Sequence, residues 1–209
     1  MTPKKSPGKK TPDTAQASAP SLAERVVAAP KVASPEAAHA LLERDLGAAG
    51  PQLEPLFARH PNVRALIEGI AEGSPYLWDL IRADPARLVT LLTADPEQYF
   101  ASVLARGFAV LDAAQDEAGA MRQLRIMKAE AALLIALADI GGLWPLQKVT
   151  RALTDLADAA VQGAVRFLLR DAVARGKLEP RNPAQPEQGS GYVVVAMGKM
   201  GAFELNYSS

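Results

Sequence analysis

No cysteine occurs among the 209 residues. That excludes a disulfide framework and any thiolate metal site. Histidine is nearly absent too: only His39 and His60 are present, in separate segments, which is too little for a histidine-based metal centre. Charge of one sign is not in excess. The 23 basic and 23 acidic residues cancel, so no overall field points to nucleic acid or to an anionic membrane. No apolar run is long enough to cross a bilayer. No apolar stretch follows the positive start, as a signal peptide would require. These absences fit a cytoplasmic chain with no membrane partner and no nucleic-acid partner. What is present is a globular composition, 49% apolar, in a length that supports one or two domains with a core.

The chain divides into four stretches. Residues 1–22 begin "MTPKKSPGKKTPDTAQASAP", rich in lysine and proline and almost without large apolar side chains. Such a stretch cannot bury enough surface to order itself and reads as a disordered tail. Residues 23–178 read as helix after helix. Ser34-Pro35, Ser74-Pro75, Asp84-Pro85 and Asp95-Pro96 each place a capping side chain before a proline suited to the first helical position. Gln98, three residues after Asp95, adds a capping-box-like spacing. Two longer helices follow. In the first, over 121–140, Leu124, Met127, Ala131, Leu134 and Ala138 keep the helical period until Gly141-Gly142 ends it. The second restarts at Trp144-Pro145, carries Val149, Leu153, Leu156, Ala160, Ala164 and Phe167 on one stripe, and stops near Arg175-Gly176. Apolar stripes this wide predict a helical bundle.

"EPRNPAQPEQGSG", within residues 179–191, is a linker by composition. Beyond it the character changes. Tyr192-Val193-Val194-Val195-Ala196-Met197 is a short β-branched run flanked by glycines and predicts a strand. A lone strand cannot satisfy its backbone groups. The preceding segments all read as helical, so its partners are expected beyond Ser209 or on another chain. Gly198-Lys199-Met200-Gly201 then makes a glycine turn. Glycine permits close backbone approach, and exposed amides in such turns attract anions. The pattern is neither a Walker A loop nor a dinucleotide fingerprint, and an ordinary tight turn explains the two glycines equally well.

The longer string is more specific. "VVVAMGKMGAFELNYSS" resembles the start of the nucleotidyltransferase core in the bifunctional glutamine synthetase adenylyltransferase/adenylyl-removing family, which carries a strand, Gly-Lys-Leu/Met-Gly, a spacer, Glu-Leu-Asn and Ser-Asp-x-Asp. Matching positions here are Gly198, Lys199, Met200, Gly201, Glu204, Leu205, Asn206, Tyr207, Ser208 and Ser209. Upstream, residues 124–161 and "SPYLWDLIRADPARL" are similar to the helical segments of the same family. The resemblance runs over roughly residues 34–209, in the right order and spacing.

That resemblance implies a mainly α fold: a helical bundle followed by the first strand of a truncated α/β, polymerase-β-like nucleotidyltransferase core over 192–209. It implies an enzyme that attaches AMP to a tyrosine of glutamine synthetase and removes it again by phosphorolysis, giving ADP. The start methionine and leading tail point to the adenylyl-removing copy. The implied cofactors are Mg²⁺ and ATP or ADP, and the implied partners are glutamine synthetase and the PII signal protein. Gly198, Lys199 and Gly201 would hold phosphates, with Ser208 and Ser209 at the edge of the metal site. No catalytic residue and no metal ligand is expected among the 209, because the Asp-x-Asp that would hold Mg²⁺ is expected at the position after Ser209. The fragment alone is therefore expected to be inactive.

Several other residues invite a site and have plainer readings. Asp155 and Asp158 share a helix and could converge as an acid/base pair, but a solvated face explains them. Asp139, in "LIALADIGG", reads as a cap for a neighbouring helix or a partner for an arginine. His60-Pro61 reads as a loop. Trp78 and Trp144 read as core. Neither Ser208 nor Ser209 has a His/Asp arrangement nearby to make it a nucleophile. Two rivals to the resemblance are a non-enzymatic helical module, adding its strand to a partner's sheet edge, and another polymerase-β-like nucleotidyltransferase.

Overall fold

The computed structural model describes residues 19–207. The lysines and prolines of 1–18, and Ser208 and Ser209, lie outside the described residues. Within them the chain forms ten α-helices: α1 (Leu22–Arg25), α2 (Pro35–Leu46), α3 (Gly50–Arg59), α4 (Pro61–Gly73), α5 (Pro75–Ala83), α6 (Pro85–Thr93), α7 (Pro96–Ala113), α8 (Glu117–Ile140), α9 (Leu146–Ala174) and α10 (Gly198–Gly201).

The Ser/Asp-Pro signals explain the starts. Proline stands at the first position of α2, α5, α6 and α7. Ser74 accepts from the Leu77 N–H, Asp84 from Arg87 N–H at 3.0 Å, and Asp95 from Gln98 N–H at 2.8 Å. Ser34 departs from this pattern. Its side chain caps nothing, and its backbone N–H donates to Glu72 Oε1 at 2.9 Å, tying the head of α2 to α4. His60-Pro61 is not a loop. His60 ends α3 and precedes Pro61 at the first position of α4, so the two helices meet at a single residue.

Ser21 and Leu22, within the stretch read as tail, take part in the first described helix. Ser21 and Glu24 form a reciprocal capping box, and Leu22 is fully buried. The Leu22 N–H donates to Ala94 O at 2.8 Å, and Val27 and Ala28 N–H groups both donate to Gly141 O, at 3.0 and 3.1 Å. Residues 22–28 are thus stitched to the junction of α6 and α7 and to the C-terminal end of α8.

The three longest helices, α7, α8 and α9, pack on one another. Their shared core holds Val103, Met127, Ile135, Trp144, Val149 and Leu156. A larger core lies between the short helices and the other side of α8, with Leu53, Leu66, Ile67, Ile81, Leu91, Leu133, Leu134 and Leu137. The end of α8 therefore serves two cores and is buried all round from Leu133 to Ala138. It stops because Gly142 takes φ +73°, and the Gly142 and Leu143 N–H groups turn back to Asp139 O and Ala138 O.

Trp78 and Trp144 are core residues, as the sequence predicts, and both indole N–H groups are satisfied: Trp78 donates to Asp45 Oδ2 and Trp144 to Glu97 Oε1, each at 2.9 Å. Glu97 also accepts both Arg25 guanidinium nitrogens, at 2.6 and 2.9 Å, and the Lys148 ammonium. One carboxylate thereby joins α1, α7, the α8–α9 turn and α9.

Candidate functional site

The C-terminal arm leaves the bundle at Arg175, crosses residues 177–191 without regular structure, and returns to it. Over residues 192–197 the expected strand is not in evidence: the backbone is extended at Met197 but joins no ladder, and the described residues contain no strand. Val193 is 80% and Val195 76% exposed. Three valines favour extended backbone, but a strand exists only through ladder hydrogen bonds, and the helices offer none.

Gly198 to Gly201 form one short helical turn. Each glycine has its own cause. Gly198 adopts φ +59°, a conformation costly to residues with a Cβ. At Gly201 a Cβ would stand 2.6 Å from the Ala196 carbonyl oxygen, so the turn folds closely over the chain that enters it. Lys199 is exposed, and the geometry of the turn has no need of a lysine. The structure thus brings Gly198, Lys199 and Gly201 into one open turn. Ser208 and Ser209 lie outside the described residues.

After the turn the chain is held against α8 and α9. Glu204 N–H donates to Lys199 O at 2.8 Å, and Phe203 N–H donates to Met200 O at 3.1 Å. The Phe203 ring lies 4.4 Å beneath the Arg151 guanidinium of α9. Leu205 N–H reaches Thr154 Oγ1 of α9 at 3.4 Å, and Tyr207 donates its phenol to Asp139 Oδ2 of α8 at 3.1 Å. Tyr207 as a residue is 55% exposed, but its oxygen faces the bundle. Loss of solvent there, then the Asp139 charge, push the phenol above its usual range. Among the described residues the side-chain partner of Asp139 is thus a tyrosine, where a helix end or an arginine was expected. Asp155 is paired with Arg151 at 2.8 Å on its own helix.

Beside this segment runs a largely apolar groove of about 800 Å³, walled by Tyr76 and Leu77 of α5, Leu124 of α8 and Leu156 of α9, and closed at one side by Leu205 to Tyr207. Arg125 and Lys128 stand on its rim. Sequence reasoning missed Thr154, Asp139 and Tyr207 as a contact set. The one available signal was a threonine inside an otherwise apolar helical stripe.

The sequence pattern of the family described as glutamate-ammonia ligase adenylyltransferase matches residues 64–209, from α4 through the glycine turn to the end of the chain. The chain belongs to that family. Curated relatives carry the name bifunctional glutamine synthetase adenylyltransferase/adenylyl-removing enzyme. One from Rhodopseudomonas palustris (strain BisB5) is 56% identical over 192 residues, 90% of this chain and 19% of the relative. One from Bradyrhizobium diazoefficiens is 51% identical over 202 residues, 95% of this chain and 20% of the relative. One from Xanthobacter autotrophicus is 48% identical over 202 residues, with the same coverage. The chain spans about a fifth of the length of these relatives. No solved structure matches it.

Lys199 and the glycine backbone of the turn are open to solvent. Among the described residues no three His, Asp or Glu side chains come close enough to hold a metal ion. Nor is any helix among them long and apolar enough to cross a membrane.

Proposed function

We propose that this chain is the adenylyl-removing part of a bifunctional glutamine synthetase adenylyltransferase/adenylyl-removing enzyme. It supplies a helical platform and the phosphate turn of the nucleotidyltransferase core. The observation that carries the reading is Gly198-Lys199-Met200-Gly201, with Glu204-Leu205-Asn206, inside the residues that match the family and next to a bundle that matches it as well. Adenylyl transfer is positioning plus neutralisation of phosphate charge. Lys199 places an ammonium at the turn, and Gly198 and Gly201 let the backbone approach a phosphate with no side chain in the way. Mg²⁺ would supply the remaining neutralisation through carboxylates outside the described residues. ATP or ADP, glutamine synthetase, the PII signal protein and a cytoplasmic setting belong to the same reading.

The test uses the complete gene product with adenylylated glutamine synthetase, inorganic phosphate and Mg²⁺. Release of ADP, lowered about a hundredfold by Lys199→Ala, supports the adenylyl-removing assignment. Label passing from ATP to the synthetase, with no ADP release, reassigns the chain to the adenylyltransferase reaction. Neither activity overturns the substrate reading.

A further inference from the structure

We propose that Thr154 and Asp139 are positioning residues that hold the Gly198–Gly201 turn in place through the segment Phe203–Tyr207. Among the described residues Thr154 is the one buried polar residue, 0% exposed. A buried hydroxyl needs partners, and it has two in line. Its Oγ1 donates to Thr150 O of its own helix at 2.9 Å and accepts the Leu205 N–H at 3.4 Å. The first bond would satisfy the hydroxyl alone. The second reaches out of the bundle to the C-terminal arm. Directly after the buried Ala138, near the end of α8, Asp139 takes the Tyr207 phenol, and Arg151 lies over Phe203. Three alternate residues of one short segment thus meet two helices that are themselves locked in the core.

The segment is tied to the turn as tightly as to the bundle. Ala202 N–H donates to Gly198 O at 3.0 Å, Phe203 N–H to Met200 O and Glu204 N–H to Lys199 O. Fixing Leu205 and Tyr207 therefore fixes the backbone from which the Lys199 side chain extends. This assignment rests on the function proposed above, because a position matters only if the turn meets a phosphate. Its consequence is a rate effect: a misplaced lysine lowers turnover without weakening the capture of a large protein substrate elsewhere.

The experiment takes Thr154→Val and Asp139→Ala in the complete gene product, with Thr154→Ser and Asp139→Asn as conservative partners that keep the acceptor oxygen. Expected are amide exchange at Leu205 faster by about fivefold or more in the Val and Ala variants, and a kcat for ADP release lower by about tenfold, at unchanged KM for adenylylated glutamine synthetase. The Ser and Asn variants are expected to recover both, while α8 and α9 keep their protection in all four. Unchanged exchange at Leu205 overturns the anchoring. Faster exchange with unchanged kcat, or with a raised KM, overturns the positioning role. A wild-type protein with no action on the synthetase overturns the function reading and the positioning role together, and the exchange measurement then still decides whether the segment is anchored.

Discussion

Replacing Glu97 by alanine removes the acceptor that joins four parts of the fold. Three losses contribute. The bidentate Arg25 pair, at 2.6 and 2.9 Å, is about a third open to solvent and is discounted to about 1 kcal/mol. The Trp144 indole N–H sits in a residue only 5% exposed, and leaving it without a partner costs about 1–2 kcal/mol. Lys148 is more open, and its pair adds a few tenths of a kcal/mol. The sum is about 2–3 kcal/mol, or about 5–10 °C in Tm for a chain of this size. The loss has a pH signature. The Arg25 guanidinium first, and then Lys148 and Trp144, hold the Glu97 carboxyl far below its ordinary 4.5, against the opposing effect of desolvation. A depressed folded pKa stabilises fully above the unfolded value and is lost as pH falls from there towards the folded one. The gap between wild type and Glu97→Gln should therefore be constant from about pH 7 to pH 5 and shrink below about pH 4.5. Thermal unfolding followed by circular dichroism measures both. A Glu97→Ala shift under about 2 °C at pH 7, or a gap as wide at about pH 3.5 as at pH 7, refutes the assigned role.

Two glycines of α4 should respond with opposite signs to alanine. A Cβ at Gly69 meets three atoms of the Pro30 ring at 2.8–2.9 Å, and a ring cannot rotate away, so Gly69→Ala should cost about 1–2 kcal/mol despite better helix propensity. Nothing lies within 4 Å at Gly73, and Gly73→Ala should gain about 0.5 kcal/mol; urea midpoints separate the two. Leu134→Ala, at a fully buried site shared by α8 and the short helices, should cost about 2–5 kcal/mol in the same assay. Asp84→Ala removes the cap on the Arg87 N–H and should cost about 1 kcal/mol, where Asp84→Asn should cost about half as much or less.

Helix starts were legible because a capping side chain before proline is a local device, and local devices survive without tertiary information. The same local logic failed at His60, whose side chain is no capping acceptor, so only Pro61 marked the boundary of α4. The end of α8 was only half visible. A single stripe of threes and fours catches Leu134 and Ala138, but Leu133, Ile135 and Leu137 are buried on another face, and a period reports one face at a time. The strand over 192–197 was a reading of propensity where pairing decides. Gly198 and Gly201 were readable as a turn. The hold of Thr154 and Asp139 on the arm was not, because it joins residues far apart in the chain by single hydrogen bonds that leave no pattern in either segment.

The two hydrogen bonds from Val27 and Ala28 to the carbonyl of Gly141 set an order on biosynthesis. Their acceptor does not exist when the donors leave the ribosome. At about 5–20 residues per second the donors wait on the order of ten seconds for Gly141, and somewhat longer for it to clear the exit tunnel. Leu22 is in the same position towards Ala94 on a shorter delay. The segment from Leu22 to Ala28 is thus held in full only once Gly141 has been made, and until then its apolar side chains stay partly uncovered. Slowing translation between Ala94 and Gly141 should lengthen that exposure, whereas slowing it after Gly141 should not.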